Sequence, residues 1–168
     1  TVSGGNVAPV GVTTDAYASN LILAIPFIGN ANDVSNQINS GTTTKTLTTN
    51  GNPTASSTSS VFYGGSFDFD ATGDYFSIDL GEGLGTGDFT IECWAKSDTT
   101  SGSRGIFHLN DTSGGLKSSS AGVNAVGLYQ ESATGFYRMY INDGGSGDSL
   151  KPIDSGVWNH WAIVKSGS

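Results

Sequence analysis

Cysteine is nearly absent: Cys93 is the only one in 168 residues, so no disulfide can close within the chain. Stability must therefore come from a buried core, and a chain of this length can build one as a single domain. With one cysteine and two distant histidines, His108 and His160, there are too few soft donors for a zinc centre. Positive charge is scarce as well. Seven Lys and Arg stand against fifteen Asp and Glu, giving a formal net charge of −8 and a pI of about 4.3. A surface of that sign repels phosphate backbones, which excludes DNA and RNA as expected partners. Long apolar runs are missing too. Residues 21–28, Leu-Ile-Leu-Ala-Ile-Pro-Phe-Ile, fall far short of the roughly 20 residues that cross a bilayer, so no membrane insertion is expected. The sequence opens Thr-Val-Ser-Gly-Gly, without an initiator Met or a signal peptide, and reads as the middle of something longer or as a processed end.

What is abundant is Gly, Ser, Thr and Asn, while charged residues make up only 13% of the chain. That composition suits many turns between short strands and argues against long helices. Two segments carry the strongest strand pattern. Residues 88–96 read Asp-Phe-Thr-Ile-Glu-Cys-Trp-Ala-Lys, and 158–165 read Trp-Asn-His-Trp-Ala-Ile-Val-Lys. In the first, Phe89, Ile91, Cys93 and Ala95 fall on one face, with Thr90, Glu92, Trp94 and Lys96 on the other. In the second, Trp161 and Ile163 oppose Ala162 and Val164, so both faces are apolar. A strand apolar on both sides belongs inside a two-layer structure. The expected fold is therefore all-β, a two-sheet antiparallel β-sandwich with these segments as central strands.

Along the chain, residues 1–20 read as a linker or extended arm and 21–168 as the sandwich. Within it, strands are expected at 21–27, weakly at 42–49, and at 61–63, 66–69, 75–80 and 105–109. A hairpin is expected from 126–130 and 136–141 across 131–135, and 150–153 approaches the last strand. The segments 81–87, 110–124 and 142–148 read as loops.

These residues also carry a resemblance. Asp88-Phe89-Thr90-Ile91-Glu92-Cys93-Trp94, followed by Trp158-x-His160-x-Ala162-x-Val164, resembles the laminin G-like, concanavalin A-like jelly-roll domains. Leu21-x-Leu23-Ala24-x-Pro26-Phe27 with Asp33-Val34-Ser35 is similar to that family's opening strand and turn. Phe62-Tyr63-Gly64-Gly65-Ser66 with Gly73-Asp74-Tyr75-Phe76-Ser77-Ile78 is similar to its next strand pair. The variant most resembled is common in virion and appendage proteins of marine bacteriophages and in bacterial surface proteins. The resemblance implies a concanavalin A-like jelly roll working outside the cell or on a virion surface. In such domains the Trp-x-His-x-Ala-x-Val strand is normally followed by further core strands, whereas here only Ser166-Gly167-Ser168 follow Lys165. The sandwich thus reads as lacking its last strands, completed either by a longer polypeptide or by another chain.

Catalysis finds little support in the residues. Hydrolases of this fold set two carboxylates on one strand, and Glu92 is the only acid inside its strand apart from Asp88 at the start. Neither histidine lies in a motif that would activate a serine. Calcium wants clustered oxygen ligands. Asp68, Asp70 and Asp74 are the candidates, with Asn142, Asp143 and Asp148 a second cluster in the later loop, but the full Asp-x-Asp-x-Asp-Gly pattern is missing. Alternating Asp on a solvated strand is the competing explanation. For a glycan, Tyr129, Phe136, Arg138 and Tyr140 are the candidate contacts, because rings stack on sugars and Arg bonds hydroxyls. The same rings could instead pack against a neighbouring sheet. Cys93, Trp94 and Trp161 read as structural.

The expectation is a non-enzymatic structural or adhesive module of an extracellular or virion-exposed protein, such as a phage fibre, appendage or capsid-surface component. It would bind a host-surface glycan, other copies of itself or other subunits of the assembly, without a required cofactor. A bacterial surface adhesin or filament subunit is one alternative, and a glycan-active enzyme of the same fold another.

Overall fold

The computed structural model describes residues 15–62, 64–70, 73–81, 87–109, 126–141 and 148–167. The rest of the expected arm, most of the loops expected at 81–87 and 142–148, all of the loop expected at 110–124, and the candidate ligands Asn142 and Asp143 lie outside the described residues. By its internal contacts the chain divides into two units, 1–81 and 82–168.

In the first unit a 3-10 turn, Ala18–Asn20, leads into residues 21–27, which the sequence predicts as a strand. They run outside any sheet, and the reason is local. The Ala24 N–H donates to the Asp33 carboxylate at 3.0 Å, and the Ala24 carbonyl accepts from the Val34 N–H at 2.8 Å. Pro26 lacks an N–H, and Phe27 turns the chain with a φ of 56°. Asp33 stands two residues before the short helix α1, Ser35–Ile38, and is itself buried. Its carboxylate also accepts the Ser35 N–H at 2.8 Å, the Ser35 hydroxyl at 2.9 Å and the Lys45 N–H at 2.7 Å.

The weak strand expected at 42–49 begins later, as β1, Leu47–Asn50. It is followed by β2, Thr54–Ser56, β3, Ser66–Asp68, and β4, Tyr75–Ile78. β1 pairs antiparallel with β4, and β2 with β3. Val61 and Phe62 form a bend, not the expected strand, and Tyr63 lies outside the described residues. Phenylalanines hold these pieces together: Phe27, Phe67 and Phe76 meet at centroid distances of 5.1 to 5.9 Å, and Phe69 reaches Phe76 at 5.3 Å. Gly65 permits this approach, since a Cβ there would stand 2.5 Å from the Phe27 carbonyl oxygen.

The second unit carries β5, Phe89–Lys96, β6, Arg104–Leu109, β7, Val126–Glu131, β8, Phe136–Ile141, β9, Asp148–Pro152, and β10, Trp158–Lys165. β5 and β10 pair antiparallel with Cys93 opposite Trp161 and Ile91 opposite Ile163. The other four form a sheet in the order β6-β7-β8-β9, every neighbouring pair antiparallel. The expected hairpin is present, running from Val126 opposite Ile141 to Glu131 opposite Phe136. Trp161, Cys93 and Ala95 from one sheet pack with Leu128, Tyr137, Ile106 and Phe107 from the other, and with Ile153. The second unit is thus two antiparallel layers around a shared core, an open β-sandwich and not a closed barrel.

A polar clasp fixes the start of β10. Lys151 Nζ donates to the Asp154 carboxylate at 2.7 Å and to Asn159 Oδ1 at 2.6 Å, and Asn159 Nδ2 donates to Asp154 at 3.0 Å. These bonds hold the Asp154 carboxyl below the usual 3.8.

In the core, burial pushes the Cys93 thiol up to about 11. Little thiolate then exists at neutral pH, and thiolate is the reactive form. A thiol-specific reagent at neutral pH should label the native protein at least about a hundredfold more slowly than the urea-unfolded chain. Equal rates would mean that Cys93 is open to solvent.

Candidate functional site

The four residues that the sequence offers as glycan contacts do share a face. In the β7–β8 register Tyr129 lies opposite Arg138, Gly127 opposite Tyr140, and Glu131 opposite Phe136. The face is a packed one. Tyr129 and Tyr140 are only 5% and 8% exposed, meet edge-on at 5.6 Å, and have His108 5.7 Å from the Tyr140 ring. Gly127 gives Tyr140 its place, because a Cβ there would lie 2.5 Å from the tyrosine ring. Arg138 is held by the buried Glu131 carboxylate at 2.6 Å, which also accepts the Thr134 hydroxyl at 3.1 Å. Phe136 is half-buried. The group is gathered, but its two tyrosine rings are packed and its guanidinium is engaged.

The calcium candidates are not gathered. Asp68 ends β3 opposite Thr54, Asp70 follows it exposed, and Asp74 precedes β4. The Asp74 carboxylate accepts the Asn52 N–H at 2.9 Å. Among the described residues no three His, Cys, Asp or Glu side chains converge as a cation would require. Asp68 closes one strand and Asp74 precedes another, so the three carboxylates belong to different backbone segments.

The exposed aromatic chemistry lies elsewhere, on the outer face of β5 and β10. Alternation sends Thr90, Glu92, Trp94 and Lys96 outward from β5, and Trp158, His160, Ala162 and Val164 outward from β10. Trp94 is 42% exposed and stacks on His160, its cross-strand partner, with centroids 5.0 Å apart and planes 29° apart. Glu92 reaches His160 Nε2 at 3.6 Å. One step along, Lys96 Nζ sits 5.8 Å from the centre of the Trp158 ring and 3.2 Å from the Asp98 carboxylate. Two indoles, an imidazole, a carboxylate and an ammonium thus stand side by side on one sheet face. Aromatic faces take the C–H side of a pyranose, and flanking charged groups bond its hydroxyls.

Trp94 was expected to be structural because it lies on a central strand. The signal against that was present in the alternation itself, which grouped Trp94 with Thr90, Glu92 and Lys96. A carboxylate pair for glycoside cleavage would need a second acid beside Glu92, and neither β5 nor β10 carries one.

A family model described as the concanavalin A-like lectin/glucanases superfamily, of laminin G type, matches residues 70–168. The chain belongs to that superfamily. The concanavalin A-like match takes in β4 and every strand of the second unit, so both the packed hairpin face and the exposed β5–β10 face lie inside it. No curated protein and no solved structure matches the chain. Membership in the concanavalin A-like superfamily supports a carbohydrate-binding or adhesive module as the general class.

Proposed function

We propose that the chain is a non-catalytic module that adheres by binding a surface saccharide on the outer face of β5 and β10. The observation that carries this is the Trp94–His160 stack, exposed and flanked by Glu92, Lys96 and Trp158. Trp94 and Trp158 supply ring faces, and Glu92 and Lys96 supply hydrogen bonds to hydroxyls. An acidic, cysteine-poor sandwich on this fold suits an extracellular or virion-exposed protein, a phage fibre, appendage or capsid-surface component. The resemblance to phage and bacterial surface proteins supports that setting, with a bacterial adhesin or filament subunit as the alternative home. Other copies of the chain or other subunits of the assembly are the competing partners for the same face.

A glycan array probed with the chain and with Trp94→Ala tests the proposal. Wild type is expected to bind a subset of glycans, and the variant to bind the same subset at least about tenfold more weakly, the loss of one stacked ring. Unchanged binding by the variant would remove this face from the account. Concentration-dependent self-association that Trp94→Ala abolishes, with no glycan bound, would make the partner another copy of the chain. Release of reducing sugar from any bound glycan would overturn the non-catalytic part.

A further inference from the structure

The first unit holds a cleft of about 640 Å³ between residues 30–37 and 44–47. Its size falls within the roughly 300–1,000 Å³ typical of small-molecule sites. The polar wall is made of Asn32, Asn36, Gln37, Thr44, Lys45 and Thr46. Among the described residues none of these six side chains makes a hydrogen bond to the protein, although Asn30 and Asp33 beside them do. Three amides and two hydroxyls each offer both a donor and an acceptor, and Lys45 adds a single cation. Ala31, Val34 and Leu47, with the carbon atoms of the polar side chains, give the lining an apolar share as well.

The frame behind these groups is held in place. The Asp33 carboxylate ties the 30–34 loop to α1 through Ser35 and to the opposite wall through the Lys45 N–H. Asn39, just past α1, donates from Nδ2 to the carbonyls of Ser19 and Leu21 at 2.9 and 3.0 Å. The backbone of the wall is fixed, while its polar side chains face solvent and are open to a ligand's hydroxyls, so only side-chain ordering opposes binding.

We propose that this cleft is a second saccharide site, distinct from the β5–β10 face and independent of it. The lining selects the ligand class. Paired donors and acceptors match vicinal hydroxyls, which are donors and acceptors at once. A phosphate or polyanion would call for several cations, and the lining supplies only Lys45. The mixed lining also suits a sugar, whose C–H faces are apolar while its hydroxyls are polar. A neutral or singly acidic oligosaccharide satisfies what is there. This cleft also lies outside residues 70–168, the part of the chain matched by the superfamily model.

The test is an amide-resolved NMR titration of the whole chain with three probes: lactose, diacetylchitobiose and sialyllactose. At least one probe is expected to shift the amides of 30–37 and 44–47 saturably at millimolar concentration. In the Asn36→Ala, Gln37→Ala double variant, whose exposed substitutions should leave other amides in place, that affinity should fall at least about tenfold. In Trp94→Ala the same shifts should persist. Absence of any shift in these segments with all three probes would overturn the proposal, as would shifts that the double variant leaves unchanged. Shifts confined to β5 and β10 and lost in Trp94→Ala would uphold the first site and overturn this one.

Discussion

Asp33→Ala is expected to strip the amides of Ala24, Ser35 and Lys45 of their hydrogen-exchange protection by roughly a hundredfold or more, the equivalent of about 3 kcal/mol. The carboxylate is 5% exposed and accepts four hydrogen bonds, three from those backbone N–H groups and one from the Ser35 hydroxyl. Alanine leaves all four donors without an acceptor, and charged acceptors make the stronger bonds. Loss confined to Ser35, with Ala24 and Lys45 still protected, would mean that the corner is held by something other than this carboxylate.

The same group sets an acid limit. Burial works to raise the Asp33 pKa, but hydrogen bonds from Lys45, Ala24 and Ser35 outweigh it and hold the carboxyl below its usual 3.8. A depressed carboxyl contributes stability that is present above the unfolded pKa and is lost as pH falls through the folded value. Protection at the three amides should therefore be constant above about pH 4 and decline below it. In Asp33→Asn it should already be low at neutral pH and change little with acid.

Trp161→Ala should cost the second unit about 3–5 kcal/mol. Trp161 is 9% exposed, meets the Tyr137 ring at 4.9 Å and packs on Leu128, so it joins the two sheets of the sandwich. Removing it leaves a cavity between layers that cannot close without moving a strand. Val164, three residues on, is 64% exposed on the opposite face of β10, and Val164→Ala should cost no more than about 0.5 kcal/mol. Urea unfolding followed by tyrosine and far-ultraviolet signals measures both, and near-equal costs would contradict the assigned inward and outward faces.

How far residues alone reveal such a structure depends on where the information is held. Alternation is local, and it identified β5, β10 and the β7–β8 hairpin because the apolar positions of each strand read off its own sequence. The segment 21–27 is as apolar as any strand, yet its backbone bonds go to Asp33 and Val34, nine and ten residues further on. Nothing in its own pattern carries that information. Tyr129 and Tyr140 read correctly as neighbours on one face, but register does not say whether a face is covered, and this one is buried. Trp94 shows the converse. Its position among polar residues marked an outward face, while its central strand suggested a core, and the alternation was the better guide. The amides of Asn32, Asn36 and Gln37 carry no signal of their own in sequence, because single polar residues look alike until the fold lines them along one cleft.

The central claim is that the outer face of β5 and β10 holds a saccharide against Trp94. All three tryptophans, Trp94, Trp158 and Trp161, lie in the second unit, so indole emission reports on this region alone. The deciding measurement is a fluorescence titration of wild type and Trp94→Ala with the strongest glycan from the array. A saturable change in wild-type emission that is lost or weakened at least about tenfold in Trp94→Ala is the predicted result. A glycan that binds both proteins with equal affinity, or leaves wild-type emission unmoved at saturation, would contradict it.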